Sequence, residues 1–291
     1  MKAEYKPYVD ALIELAINED LGDGDHTSLC FIPATERGRM KLLCKQEGII
    51  AGIEIAQLIL ARLDPEVKVE LLLKDGDRVK VGDIAFYVEG RLQSLLQAER
   101  ILLNIMQRMS GVATQTAIYA DRIADLHTKV LDTRKTTPGM RVLDKMAVKI
   151  GGGENHRIGL FDMILLKDNH VDFAGGITNA LERARDYCAQ KGKDLRIEIE
   201  VRNTDEINEA LATNIPDRIM LDNFTPERTK AAVALIRQWT EQNGKYIEIE
   251  SSGGITIDTL RDYALCGVDF VSVGALTHSV KSLDMSFKAV K

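Results

Sequence analysis

The chain has 291 residues and carries 44 acidic against 38 basic side chains, which gives a net charge of −6 at pH 7. Its hydrophobic and charged fractions, 45% and 28%, are those of an ordinary globular protein. The acidic balance argues against nucleic acid as the main partner, and no apolar segment approaches the length of a membrane span. The length allows two domains or one barrel with an appendage.

The first 22 residues have the pattern of an amphipathic helix that ends near Gly22. Charges interrupt its apolar positions, so the segment does not have the pattern of a signal peptide. The four cysteines are scattered without a CxxC pair, which predicts reduced thiols in the core of a cytosolic protein rather than a disulfide framework or a zinc site. We therefore expect a cytoplasmic protein.

Residues 23 to about 95 are predicted to be rich in β-strands, because short apolar runs are joined by turn signals such as DGD and VGD, with helical pieces that include IEIAQLILARL. Part of this region, KDGDRVKVGDIAFYVEG, is similar to the hairpins of biotinyl carrier domains, but it lacks a modifiable lysine at the hairpin tip. A long helix is predicted from Arg91 to about Ala124, and Gly111 is expected to break or kink it.

From Lys129 onward, six apolar strand-like runs alternate with helical segments. This rhythm favours a parallel sheet covered by helices, either a (β/α) barrel or, as the rival fold, a doubly wound open sheet. The chain has neither GxGxxG after the first strand nor a GxxxxGK[ST] loop, so nothing supports a dinucleotide fold or a P-loop.

Polar or glycine residues follow the strand-like runs where each of them ends. The carboxyl ends of parallel strands meet at one edge, so these residues are expected to converge on one pocket. They are Arg134 with Lys135, Lys167, Glu200, Asp222, Ser251 to Gly254, and Gly274.

Three of these residues are cations, which could together bind two carboxylates or a pyrophosphate. The alternative for these three is surface charge in loops. A solvated basic helix face is a separate alternative for Arg141, Lys145 and Lys149, which are spaced four apart. A second enzyme class is also open at this point, a Schiff-base aldolase with Lys167 as its nucleophile.

Glu200 and Asp222 could coordinate Mg²⁺, hydrogen-bond sugar hydroxyls, or simply form salt bridges to the same lysines. Strand periodicity puts Glu198 on the same face as Glu200, in a position to support it. The small Ser252 to Gly254 and Gly274 loops suit a phosphate, although glycine there is also ordinary turn chemistry.

His156 and Arg157 follow the sequence GGGEN, which is expected to form a mobile loop that lets the backbone approach a ligand. His156 is either a donor or general acid–base group, or a structural histidine. Arg100 lies outside the βα region on the long helix, where it is a buried arginine, an interface arginine or a surface ion-pair partner.

The motifs DTRKT, GGGENHR and LLKDNH, with SSGGI and SVGA, resemble those of the quinolinate phosphoribosyltransferase family, and the similarity covers nearly the whole chain. The resemblance implies an open, incomplete (β/α) TIM-like barrel over residues 113–275. It also implies an N-terminal α/β-sandwich domain over residues 1–112, joined by a C-terminal tail from about 276 to 291. The implied reaction converts quinolinate and phosphoribosyl pyrophosphate into nicotinate mononucleotide, pyrophosphate and CO₂, with Mg²⁺, in NAD biosynthesis.

The resemblance also implies roles for individual residues. Arg134, His156 and Arg157 match positions that hold the quinolinate carboxylates, and Arg100 matches an arginine that reaches in from the partner of a homodimer with shared active sites, or of a hexamer of such dimers. The matched catalytic set is Lys135, Lys167, Glu200 and Asp222, the last two also at Mg²⁺. The remaining matched substrate-binding positions are Thr133, Ser252, Gly253, Gly254 and Gly274. A nicotinate-specific transferase or a molybdenum-operon relative shares the barrel and stays open as an alternative.

Overall fold

The computed structural model of the chain describes residues 1–290. Its strands are β1 Arg37–Cys44, β2 Gly48–Ile49, β3 Lys68–Leu71, β4 Arg78–Val79, β5 Ile84–Arg91, β6 Lys129–Leu131, β7 Ile164–Leu166, β8 Ile197–Val201, β9 Arg218–Asp222, β10 Glu248–Ser252, β11 Phe270–Ser272 and β12 Met285–Ala289. Its α-helices are α1 Lys6–Leu21, α2 His26–Phe31, α3 Ile53–Leu63, α4 Leu92–Arg122, α5 Arg141–Ile150, α6 Asp168–Ala174, α7 Ile177–Lys191, α8 Thr204–Thr213, α9 Pro226–Asn243, α10 Leu260–Ala264 and α11 Ala275–His278.

The chain divides into two compact units, which are described separately. The first contains residues 1–117, 136–152 and the chain from 276 onward, and the second contains residues 118–135 and 153–275. Residues 136–152 lie inside the predicted barrel domain but group with the first unit. The predicted domain boundaries themselves stay a prediction.

The first unit is built on an antiparallel four-stranded sheet in the order β12-β1-β5-β3, beside the small β2-β4 pair. Strand β1 has the alternating pattern that builds such a sheet. Its residues Met40, Leu42 and Cys44 are buried and alternate with more exposed residues, so one face of the strand packs in the core and the other faces solvent. The C-terminal strand β12 pairs with β1, for example Leu42 with Phe287. The four cysteines are free thiols, but only Cys44 is buried and Cys30 is exposed, so the prediction that all four lie in the core is wrong.

Helix α4 runs without interruption for 31 residues, so the predicted break at Gly111 is wrong. The glycine has a packing role instead: a Cβ there would lie within 2.4 Å of the Lys281 carbonyl oxygen. Gly151 makes a similar close approach, because a Cβ would lie 2.3 Å from the carbonyl oxygen of Ala113 on α4. The first glycine of GGGEN is thus packed against a helix rather than placed in a mobile ligand loop.

The second unit contains a parallel six-stranded sheet in the order β6-β11-β10-β9-β8-β7, and its strands lie at the six predicted runs. From β7 to β11 each strand pairs with the next one along the chain, and the first strand, β6, lies beside the last. A doubly wound sheet needs a point where this progression reverses, so the topology excludes that rival fold.

A single bridge pairs Leu131 with Glu154 at the free edge of β6. One residue of pairing is too short to leave a period-two pattern in the sequence, which is why no strand was predicted there. No helix within residues 1–290 combines the length and the apolar character needed to cross a membrane.

Candidate active site

The carboxyl ends of neighbouring strands bring predicted site residues to one edge of the parallel sheet. In the register of the sheet, Ser252 on β10 pairs with Asp222 on β9, and Glu200 on β8 lies beside Met220. Lys167 follows β7 directly, and its Nζ lies 3.3 Å from Oε2 of Glu200. Residues far apart in sequence therefore meet here, as the strand-end argument predicts.

Glu200 lies where a carboxylate is poorly solvated, since its side chain is only 9% exposed. Burial raises its pKa above the ordinary range, and repulsion from Asp222 raises it further, whereas Lys167 lowers it. The salt bridge to a lysine, which was one of the alternatives for Glu200 in the sequence, is therefore present. Two carboxylates close enough to repel each other, with one lysine beside them, form an oxygen donor set that suits Mg²⁺.

The loop after β10 is tied to the loop after β9. The Asn223 backbone N–H donates to the Ser252 carbonyl at 2.9 Å, and the Asn223 side-chain amide donates to Asp222 Oδ2 at 2.7 Å. Asn223 itself has a φ of +53°, a left-handed conformation that asparagine tolerates. The sequence did not predict that Asn223 links the two loops, because an asparagine after a strand is common in ordinary turns.

Gly253 is required at this junction. Its φ is +105°, and a Cβ would lie 2.2 Å from Oδ1 and 3.0 Å from the backbone nitrogen of Asn223. Gly254 has a φ of +60° and is exposed, and Gly274 follows β11. The backbone around Ser252 and Gly253 can therefore approach a ligand without side-chain obstruction.

We expect Gly253→Ala to weaken binding of the phosphate group that the sequence predicts at this loop. The added methyl group would force Asn223 away and strain the backbone by about 1–3 kcal/mol. Steady-state kinetics should show a KM for the phosphate-bearing substrate raised by about tenfold or more. Gly244→Ala is the matched control, because it also has a positive φ, +72°, but nothing lies within 4 Å of its Cβ. An unchanged KM in Gly253→Ala would contradict this role for the loop.

Two arginines lie close together beyond β6. Burial lowers the pKa of Arg157, and repulsion from Arg134 lowers it further. The Arg157 guanidinium donates to the Met163 carbonyl at 3.2 Å, whereas Arg134 and Lys135 are exposed. The Thr133 hydroxyl accepts from the Lys135 N–H at 3.1 Å and so shapes this turn. Neighbouring guanidinium groups of like charge are an arrangement that an anion stabilises.

His156 is held by protein atoms on both sides of its ring. Its backbone N–H donates to the buried Asp132 at 2.9 Å, and its Nδ1 accepts from the Arg157 N–H at 2.7 Å. Its Nε2 lies 2.9 Å from Oε2 of Glu198, and the His156 side chain is only 7% exposed. Sequence reasoning gave Asp132 no role, although an aspartate directly after an apolar strand was a signal for one.

The remaining predicted cations are distributed differently. Arg100 is exposed on α4 in the first unit, which excludes the buried alternative for it. On α5, Lys145 is fully buried while Lys149 is exposed, so these residues do not form one solvated basic face. The alternative of a basic helix surface is therefore wrong.

Comparison with known proteins gives matches over almost the whole chain. The model of the quinolinate phosphoribosyl transferase N-terminal domain matches residues 25–110, and that of the C-terminal domain matches residues 112–288. The chain is 44% identical to the chloroplastic nicotinate-nucleotide pyrophosphorylase [carboxylating] of Arabidopsis thaliana over 287 residues, which is 96% of this chain and 82% of that protein. It is 43% identical to quinolinate phosphoribosyltransferase [decarboxylating] 1b of Nicotiana tabacum, with 95% and 81% covered.

Solved structures agree with these matches. The crystal structure of NadC from Streptococcus pyogenes superposes with a TM-score of 0.89 at 36% identity and covers 97% of both chains. Human nicotinic acid phosphoribosyltransferase, at 15% identity and a TM-score of 0.61, shares the fold alone.

The parallel sheet, with arginines, a lysine and a carboxylate pair at one edge, defines an α/β enzyme that acts on an anionic substrate. The family matches narrow this class: the chain belongs to the quinolinate phosphoribosyltransferase family. The expectation from the sequence motifs is confirmed.

Proposed function

We propose that this protein transfers the phosphoribosyl group of phosphoribosyl pyrophosphate to quinolinate and releases CO₂, which gives nicotinate mononucleotide and pyrophosphate for NAD biosynthesis. The observation that carries the proposal is the meeting of Lys167, Glu200, Asp222 and Ser252 at one sheet edge, in a chain that matches the family along nearly its full length. The winding of the sheet supports an open, incomplete (β/α) barrel with an N-terminal α/β sandwich.

Quinolinate is a planar dicarboxylate, and guanidinium groups match carboxylates in charge and geometry. Arg134 and Arg157 bind its two carboxylates, with His156 adjoining Arg157. Nicotinate lacks the second carboxylate and would leave one arginine without its partner. A site built to pair both groups therefore discriminates strongly against nicotinate.

The sugar substrate lies across the other strand ends. Lys135 and Lys167 face the pyrophosphate, Glu200 and Asp222 hydrogen-bond the ribose hydroxyls, and backbone N–H groups around Ser252, Gly253, Gly254 and Gly274 bind the 5′-phosphate. Glu200 and Asp222 would also hold Mg²⁺, directly or through the substrate, and the ion would neutralise charge on the leaving group.

The chemistry needs positioned charge more than proton transfer. The ring nitrogen of quinolinate forms a bond to the anomeric carbon while the bond to pyrophosphate breaks, and the lysines stabilise the departing anion. The nitrogen is then cationic. Loss of the adjacent 2-carboxylate as CO₂ leaves an electron pair beside that positive charge, and a proton from water completes the product.

The direct test is an assay with purified protein, quinolinate, phosphoribosyl pyrophosphate and Mg²⁺. We expect nicotinate mononucleotide and CO₂ in equal amounts. Replacing quinolinate by nicotinate should give no product, whereas a nicotinate-specific transferase would show the reverse preference. Absence of product from quinolinate would overturn the proposal.

We further propose a homodimer with shared active sites, either alone or assembled into a hexamer, in which the exposed Arg100 reaches the partner's substrate. Arg100→Ala and Lys167→Met should each be nearly inactive alone. Mixed dimers of the two variants contain one site with neither change, so refolding an equal mixture should restore about a quarter of wild-type activity. No recovery in mixed dimers would contradict the sharing of sites.

A cytoplasmic location is also part of the proposal, and the free cysteines support it. Relatives in plants are named as chloroplastic or mitochondrial, so the compartment is not a property of the whole family.

A further inference from the structure

A buried layer of charge lies in the sheet beneath the strand-end site. Arg218 on β9 lies between Glu198 on β8 and Glu248 on β10, since it pairs with both in register. Glu198 and Glu250 are 0% exposed and Arg218 is 6% exposed. Burying charges is costly unless each has a partner, so this layer requires a reason for its presence.

The two buried carboxylates differ in what holds them. Glu250 accepts from Arg218 Nη1 at 2.9 Å and also from the Ser272 hydroxyl, so two strands fix it. Glu198 lies 3.9 Å from Arg218 Nη1 but only 2.9 Å from His156 Nε2. The closer of these two contacts of Glu198 is therefore the one to the histidine, which belongs to a loop and not to the sheet, and whose Nε2 lies farther, at 3.5 Å, from Oε2 of Glu250.

The histidine connects this layer to the anion site. Its Nδ1 accepts from the Arg157 N–H, so that nitrogen carries no proton and the ring proton lies on Nε2, facing Glu198. The ring thereby holds the backbone of Arg157, whose guanidinium is held in turn by the Met163 carbonyl at 3.2 Å.

We propose that Glu198 is a positioning residue: its buried carboxylate orients the His156 ring, and the ring in turn fixes Arg157 for binding of the aromatic dicarboxylate. The inference rests on the proposed function and deepens it. Glu198 touches no substrate in this account and acts only through His156. Loss of this contact should weaken quinolinate binding while leaving the phosphoribosyl pyrophosphate site intact.

The test compares Glu198→Leu with Glu198→Gln, which retains an oxygen that can accept from Nε2–H. We expect Glu198→Leu to raise the KM for quinolinate about tenfold, with the KM for phosphoribosyl pyrophosphate and kcat within about twofold of wild type. Glu198→Gln should recover most of the loss. Glu248→Gln is the matched control, because Glu248 shares the Arg218 partner at 2.8 Å but is 25% exposed and on another strand.

A double variant separates positioning from general destabilisation. If Glu198 acts through the ring, Glu198→Leu should add no further loss to His156→Leu. Should Glu198→Leu fail to fold, Glu198→Asp withdraws the carboxylate from Nε2 by one methylene and should show the same selective rise in KM.

An unchanged KM for quinolinate, or equal rises in both KM values, would overturn the inference. Wild-type protein that makes no product would instead overturn the proposed function, so the two failures are distinguishable.

Discussion

Arg134→Ala is expected to raise the KM for quinolinate and to lower kcat/KM for it by about two to three orders of magnitude. Removing one member of a desolvated charge pair costs about 2–5 kcal/mol, because the carboxylate opposite is left without its partner. Burial lowers the pKa of Arg157 and repulsion from Arg134 lowers it further, so an anion bound between the two cations would relieve that repulsion. Steady-state kinetics with quinolinate as the varied substrate measures the effect.

The matched control for Arg134 is Arg261→Ala. Arg261 is also an arginine of the second unit, but it pairs with Asp125, which precedes β6, rather than lying at the carboxyl edge. Its loss should leave both KM values unchanged. Wild-type kinetics in Arg134→Ala would remove this arginine from the site.

Lys167→Met should lower kcat by about 10²–10³-fold, the range found when one preorganised charge-stabilising group is removed. The lysine is half exposed and lies beside Glu200, so its side chain can contact the departing pyrophosphate from its position at the end of β7. Its loss would also leave the buried Glu200 carboxylate without its cation. Single-turnover rates of product formation measure the chemical step directly.

Lys129→Met is the control for Lys167, since Lys129 is exposed at the opposite end of β6. Retained turnover in Lys167→Met would contradict the electrostatic role. Borohydride trapping with a carbonyl substrate separates the aldolase alternative, because only a Schiff-base mechanism would label Lys167.

Much of the second unit could be predicted from the sequence, because its signals are local and repeated. Each apolar run became a parallel strand, and the polar residue that follows it, such as Lys167 or Asp222, lies at the expected edge. Chain chemistry alone could not separate Mg²⁺ coordination from a salt bridge at Glu200. That distinction depends on how close Asp222 and Lys167 lie to Glu200, and the spacing of these residues along the chain does not give those distances.

The residues that sequence reasoning missed or misread depend on contacts between distant segments. Gly111 was expected to break a helix, yet the approach of the Lys281 backbone accounts for it. The close contact between Asn223 and Gly253 could not be predicted, because it depends on how the ends of two neighbouring strands lie in three dimensions. Glu198 could be placed on the correct face by its periodicity, but its histidine partner lies 42 positions earlier in the chain, and no pattern links the two residues.

A crystal structure of the protein with quinolinate bound would show whether Arg134 and Arg157 hold the two carboxylates. We expect the quinolinate ring at the carboxyl edge of the parallel sheet, with one carboxylate within hydrogen-bond distance of Arg134 and the other within hydrogen-bond distance of Arg157. Quinolinate bound elsewhere on the second unit, with both arginines unengaged, would contradict it.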